Sequence, residues 1–319
     1  DLEFAGHAPF PLVKPWVRAV EDFRGSPDGR VALLGQPKRP RVNGETELRE
    51  VDIKLKAIPI WFGATSGDVR FTRDRVEYLL REGTTAGGRL EGHGSSSRVR
   101  GKRWRHTVEM KLDQGRLEEL FDPVPTLTQH VSGELSLRES LAFETAPGLD
   151  PLQTLSGLLS VRLEDGSFSE YPALVRLFGL LASAARPTLL PDLGRERMPF
   201  RHLSADFTIA EGVMRTENLV LDSKVVRVSG IGTVALSEKR LDLKLAVRPL
   251  QALEGGIRKL PLLGRLLPEQ QSLSVVYVDL KGPWHDPRVS TATGKSLGRT
   301  VVDLLLLLLR APDRLLIPQ

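Results

Sequence analysis

Histidines are the first residues to weigh for chemistry. The chain carries six: His7, His93, His106, His130, His202 and His285. No two are spaced as metal ligands on one helix, and no carboxylate partners any of them in a known motif. His106 lies in the alternating run Trp104-x-His106-x-Val108-x-Met110, a pattern that suits the packing or lining of a strand face. Gly294-Lys295-Ser296 matches the end of a phosphate-binding loop. That motif needs a glycine where Val289 stands, and a strand feeding a helix inside a parallel sheet. Gly92-His93-Gly94-Ser95 lacks the Gly-x-Ser-x-Gly spacing of a nucleophile elbow. The chain has no cysteine, so disulfides, thiolate metal sites and cysteine nucleophiles are excluded. A glycoside hydrolase would need two facing carboxylates about 5–9.5 Å apart, a pair that no motif here marks. The expectation is therefore a protein that is not an enzyme and holds no cofactor and no metal.

Arg98, Arg100, Lys102, Arg103 and Arg105 form a basic cluster with Trp104 and His106 among them. Interleaved aromatics and cations can bind single-stranded nucleic acid. Here a strand period separates them, with Trp104 inward and the arginines outward. A solvated outer edge is the favoured reading, and contact with anionic headgroups or a partner is the alternative. No nucleic acid is expected. The net charge of +5 is a mild basic excess that fits weak attraction to anionic surfaces and specifies nothing further.

The elements that must position these residues are short, alternating and closed by turn residues. Leu203, Ala205, Phe207 and Ile209 alternate with Ser204, Asp206 and Thr208, and Glu211-Gly212 makes a turn. Leu219 and Leu221 follow, then Asp222-Ser223, then Val226 and Val228 leading to Gly230 and Gly232. Val234 and Leu236 end at Ser237-Glu238-Lys239. Leu241, Leu243, Leu245 and Val247 then face one way while Asp242, Lys244 and Arg248 face the other. This is an antiparallel meander with one apolar face and one polar face. The same pattern fills residues 41–150: Val51, Ile53, Leu55 and Ala57; Val69 and Phe71; Val76, Tyr78 and Leu80; the Trp104–Leu112 run; and Val131, Gly133, Leu135 and Leu137. The stretch from Gly87-Gly88 to Gly101 reads as a long turn or a bulged edge.

Helices interrupt this pattern. Pro15 is placed to open a short helix running to Phe23. Leu174, Leu177, Phe178 and Leu181 predict a helix near 170–186, capped by Ser169 and ended by Pro187. A second insertion falls near 251–267. The tail VVDLLLLLLRAPDRLLIPQ predicts a Leu-rich helix. Its nine residues from Val301 to Leu309 span about 14 Å, short of the ~30 Å of a hydrocarbon core. With Leu304, Leu305, Leu306, Leu307, Leu308 and Leu309 on all sides, it is not expected to sit with one face in water, and so either caps a groove in the sheet or dips into one leaflet with Arg310 and Arg314 near headgroups.

The order and spacing of these turn and core positions carry a resemblance. They run Gly157-Leu158-Leu159-Ser160-Val161-Arg162-Leu163 with Asp165-Gly166 and Phe168, then Pro199-Phe200 with Leu203, Ala205, Phe207 and Ile209. Next come Gly212-Val213, Thr216, Asn218-Leu219-Val220-Leu221, Gly230, Gly232, Val234 and Leu241-Asp242-Leu243, and last Gly282-Pro283-Trp284 with Asp286-Pro287. The chain resembles, over residues 152–290, the C-terminal module of the AsmA-like family of bacterial envelope proteins (the AsmA, TamB, YhdP and YdbH type). Residues 1–150 match in general character alone. The resemblance implies a mainly β fold: an elongated, strongly twisted antiparallel sheet curled into an open hydrophobic groove, with short helices plugging or flanking it. It implies β-groove repeats over 1–150, the C-terminal module over 151–290, and a Leu-rich helix and tail over 291–319.

The function implied is that of a bridge-like lipid transport protein. This piece would form the C-terminal part of a periplasmic groove that moves phospholipid between inner and outer membranes. An inner-membrane-anchored upstream part of the same chain is then expected to be missing, and the outer membrane or one of its proteins is the expected partner. The expected lining is Trp104, Val108, Met110, Leu203, Phe207, Ile209, Leu219, Leu221, Leu241, Leu243, Leu245 and Val247. The alternative is a scaffold or assembly factor for outer-membrane proteins that acts by sheet-edge pairing.

Overall fold

The computed structural model describes residues 2–7, 20–25, 27–34, 41–55, 61–120, 130–169, 197–250 and 275–310. Strand follows strand along them. The first nine are β1 (Leu2–His7), β2 (Val20–Arg24), β3 (Asp28–Leu34), β4 (Arg41–Leu55), β5 (Trp61–Phe71), β6 (Arg75–Thr85), β7 (Gly88–Arg100), β8 (Arg103–Arg116) and β9 (Val131–Thr145). The rest are β10 (Ser156–Phe168), β11 (Met198–Ala210), β12 (Val213–Ser223), β13 (Val226–Ala235), β14 (Arg240–Pro249), β15 (Val276–Pro283) and β16 (Arg288–Ala292). Helices are few among the described residues: the single turns α1 (Leu117–Leu120) and α2 (Gly294–Leu297), and α3 (Arg299–Arg310). The hydrogen-bonded order follows the chain from β1 to β16, with β2 off the path on β4. The fold is mainly β, one long antiparallel sheet that does not close into a barrel. Many of the neighbouring strands are joined by short turns, and strands consecutive in the chain tend to lie side by side.

By contacts the chain divides into two compact units. The first is 1–128 with 134–159 and 209–212, and the second is 129–133 with 160–208 and 213–319. The C-terminal helix belongs to the second unit.

In the first unit, turn chemistry sets the hairpins. Ala86-Gly87 has both φ values positive, 49° and 76°, the primed geometry whose twist matches that of the flanking strands. Bulges break the pairing of β4, β5, β6 and β8: between Leu48 and Val51, between Gly63 and Gly67, between Leu80 and Gly83, and between Leu112 and Gly115. Each adds a residue and bends the strand. In three of these strands a non-glycine residue is left-handed at the break: Glu50, Ala64 and Gln114. Side chains on neighbouring strands take up the freed amides. Glu50 N donates to Ser66 Oγ at 3.1 Å, Ala64 N to Asp52 Oδ1 at 3.1 Å and Gln114 N to Ser136 Oγ at 3.4 Å.

Two sequence expectations change here. Gly88–Arg100 is a 13-residue strand paired on both sides, rather than a long turn or an edge, with one register shift near its end between Arg98 and Arg100. Its glycines lie under the side chains of neighbouring strands: a Cβ on Gly92 would stand 2.9 Å from Met110 Cγ, and one on Gly94 would overlap the Tyr78 hydroxyl. The helix expected from Pro15 to Phe23 is not helical where it is described, because Val20–Arg24 pairs with β4 as a strand. The helical insertions near 170–186 and 251–267, and Arg314, lie outside the described residues.

In the second unit, β12 to β16 pair in chain order, with one register shift on β12 between Thr216 and Leu219, and α3 packs on β13 and β14. The turn before α3 is a capped one. Thr293 Oγ1 accepts Ser296 N at 3.2 Å and Ser296 Oγ accepts Thr293 N at 3.1 Å. Gly294-Lys295-Ser296 therefore serves a reciprocal cap.

Candidate functional site: the apolar sheet face

In the first unit the register places one set of side chains on a common face across five strands. β5 contributes Val69 and Phe71, and β6 contributes Val76, Tyr78 and Leu80. β8 contributes Trp104, His106, Val108 and Met110, and β9 contributes Leu137, Glu139, Leu141 and Phe143. Between them β7 supplies Gly92, Gly94 and Ser96, small residues that leave room for the rings and thioether beside them. All of these residues are half-buried. The opposite face alternates as charge: Arg30, Glu45, Arg70 and Glu77 stand in one cross-strand row, and a shallow depression opens among them. Three expected lining residues, Trp104, Val108 and Met110, thus share one face. Toward the bulged ends of the strands Leu90, Leu112, Leu135 and Leu117 are buried.

Polar groups on this face are held by neighbours or by desolvation. The two nitrogens of His106 contact Ser96 Oγ and Thr145 Oγ1, each at 2.8 Å, and its ring stacks on Phe143 with centroids 4.7 Å apart. Burial pushes the His106 pKa down, so the neutral ring bridges three strands. Glu139 was not singled out in the sequence, because it interrupts an otherwise apolar alternation. It stands opposite Met110, and burial raises its pKa. Tyr78 is pushed up to about 12 by burial and then by the nearby Glu139 charge. The basic cluster divides differently from the expected pattern. Arg103 and Arg105 do face outward, where Glu144 pairs with both. Arg98 instead stands opposite Trp104 in the register, with its guanidinium carbon 5.2 Å from the indole centroid.

In the second unit the register sets Leu219 and Leu221 beside Gly230 and Val228, and these beside Leu245 and Val247. Leu243 and Leu241 continue the same face, opposite Leu280 and Gly282. A Cβ on Gly230 would lie 2.8 Å from Leu245 Cδ2 and 3.1 Å from Leu219 Cδ2, so the two leucines meet across three strands over that glycine. The face is graded along the strands. Leu221, Leu245, Val247 and Val278 are buried, whereas Leu219, Leu241 and Leu243 are half-buried. On β11, Leu203 and Phe207 are half-buried, and Ile209, which falls in the first unit, is buried.

The Leu-rich helix α3 sits on the reverse face. Leu305 and Leu309 pack with Leu297 on Ala246, flanked by Ile231 and Tyr277, and buried Ser229 Oγ donates to the Leu305 carbonyl at 2.7 Å. Small residues on the sheet let the helix approach. Leu308 is also buried and Leu304 and Leu306 are half-buried, while Leu307 is 65% exposed. Its outward stripe is Arg299, Thr300, Asp303, Leu307 and Arg310, polar apart from one leucine. The helix does keep one side in water, because it starts at Arg299 and turns its polar residues outward. No described helix is long and apolar enough to cross a membrane.

Among the described residues no group of three or more histidines and carboxylates could hold a metal ion. The model of the YhdP protein family matches residues 77–289, more than half of the chain. No curated protein and no solved structure matches it.

Proposed function

The chain belongs to the YhdP family, within the AsmA-like group of bacterial envelope proteins, and from that premise we propose that it is a non-enzymatic lipid conduit. In this reading it is the C-terminal part of a periplasmic groove. Phospholipid moves along it between inner and outer membranes, and an upstream part of the same chain holds the inner membrane. At its far end it meets the outer membrane or a protein there. The observation that supports the reading best is the half-buried apolar face of the first unit, which runs from Phe71 and Tyr78 across Val108 to Leu141. Contiguous apolar surface that is left partly open is a mark of ligand or interaction sites. Acyl chains suit it because they are apolar, deformable and have no hydrogen-bond demands. Each methylene moved onto the face contributes about 0.8 kcal/mol.

The test is to purify the chain from bacterial envelopes without detergent, extract it and identify bound lipid by mass spectrometry. Glycerophospholipid in near-stoichiometric amount is the expected result. A lipid-free protein overturns the conduit and favours a scaffold that acts through its strand edges.

A further inference from the structure

Two adjacent hairpin tips of the first unit carry charge that the apolar face does not account for. The turn between β5 and β6 brings Arg73 and Asp74, and the turn between β7 and β8 brings Arg98 to Lys102. The tips are tied together. Arg98 N donates to Asp74 O at 2.8 Å, Arg98 Nε stands 3.1 Å from the Asp74 carboxylate, and Arg98 Nη2 donates to Arg73 O at 3.5 Å. Beside them Glu144 takes Arg103 and Arg105, whose hydrogen bonds hold its carboxyl below the usual range.

Arg73, Arg100 and Lys102 remain exposed, with no carboxylate in ion-pair distance among the described residues. Next to Arg100 in the chain, Val99 is 51% exposed. The apolar face begins directly behind these tips: Phe71 ends β5 two residues before Arg73, and Trp104 pairs with Arg98. At the opposite end of β6 and β7 the turn is the uncharged Ala86-Gly87.

We propose that these two tips form a phosphate-headgroup subsite at the end of the apolar face, selective for anionic over zwitterionic glycerophospholipid whose tails lie on that face. The proposal rests on the conduit reading and deepens it. Arg and Lys donors match phosphate oxygens. Three unneutralised cations favour a guest of net negative charge over one whose ammonium cancels its phosphate. The exposed valine and the adjacent indole suit the boundary where headgroup meets tail.

The test uses the triple variant R73Q/R100Q/K102Q. Its side chains are exposed and have no ionic partner, so the sheet is left intact. Wild type and variant are incubated with vesicles of equimolar phosphatidylglycerol and phosphatidylethanolamine, re-isolated, and their lipid quantified by mass spectrometry. The expected result is a severalfold phosphatidylglycerol excess on the wild type. The variant should show a ratio near that of the vesicles at unchanged total loading. A wild-type ratio retained by the variant overturns the subsite while leaving the conduit standing. Equal binding of tail-free glycerophosphoglycerol also overturns it, since the tips would then be a site for free anions. Absence of any lipid on either protein sinks the conduit reading and the subsite with it.

Discussion

Glu139 is the residue on the apolar face least at ease there. Burial favours its neutral form, so its folded-state pKa is raised above the ordinary 4.5. Such a group leaves stability intact below the unfolded value. Stability is lost as pH rises from there through the raised value, because the unfolded chain ionises first. Substituting Glu139→Gln removes this component. The melting temperature of the variant should match the wild type at pH 4 and exceed it at pH 8. Equal melting temperatures at both pH values would contradict the placement of Glu139. His106 has the opposite sign: its lowered pKa costs stability as pH falls from 6.5 through the depressed value. A His106→Gln variant should lose less stability than the wild type between pH 7 and pH 5, read by denaturant midpoints.

At the scale of elements, β7 and α3 show how small residues decide packing. A Cβ at Gly94 would meet Thr107 O at 2.5 Å as well as the Tyr78 hydroxyl. Gly94→Ala should therefore cost about 1–3 kcal/mol, the range for overpacking, in urea unfolding, and a neutral result would mean that Tyr78 does not lie there. On α3, Leu305 is fully buried and Leu307 is 65% exposed. Leu305→Ala should cost about 2–5 kcal/mol, and Leu307→Ala well under ~1 kcal/mol. Similar costs for both would mean that the helix turns a different side to the sheet. The Leu-rich composition was legible as a helix too short to span a bilayer. Which face it covers was not, because that depends on Ser229, Ala246 and Ile231, some 50 to 80 residues away in sequence.

At the scale of the whole molecule, the proposed conduit depends on the apolar face of the first unit, which continues from strand to strand. Val108→Glu places a carboxylate in the middle of it, on a half-buried site where the fold can tolerate it. Lipid bound per chain should drop severalfold while the far-ultraviolet circular dichroism stays unchanged. Undiminished lipid would move the guest away from this face. The same substitution on the charged side, at Thr107, should leave bound lipid unaltered.

Sequence alone determined that alternating segments separated by turn residues make an antiparallel meander, and that Trp104, Val108 and Met110 share a face, as do Leu241 to Val247. A strand's two faces follow from its own pleat, so this much is local. The tertiary structure decided the rest. Apolar positions pass from Leu48 to Val51 and from Leu112 to Gly115 without leaving their face, because bulges insert the residue that restores the parity. Whether a bulge forms depends on the register of the strand beside it. Gly92 and Gly94 belong to a strand because neighbouring side chains cover them, and α3 takes the reverse face because small side chains there admit it. Contacts between residues distant in the chain settle such choices, and no short stretch of sequence contains them.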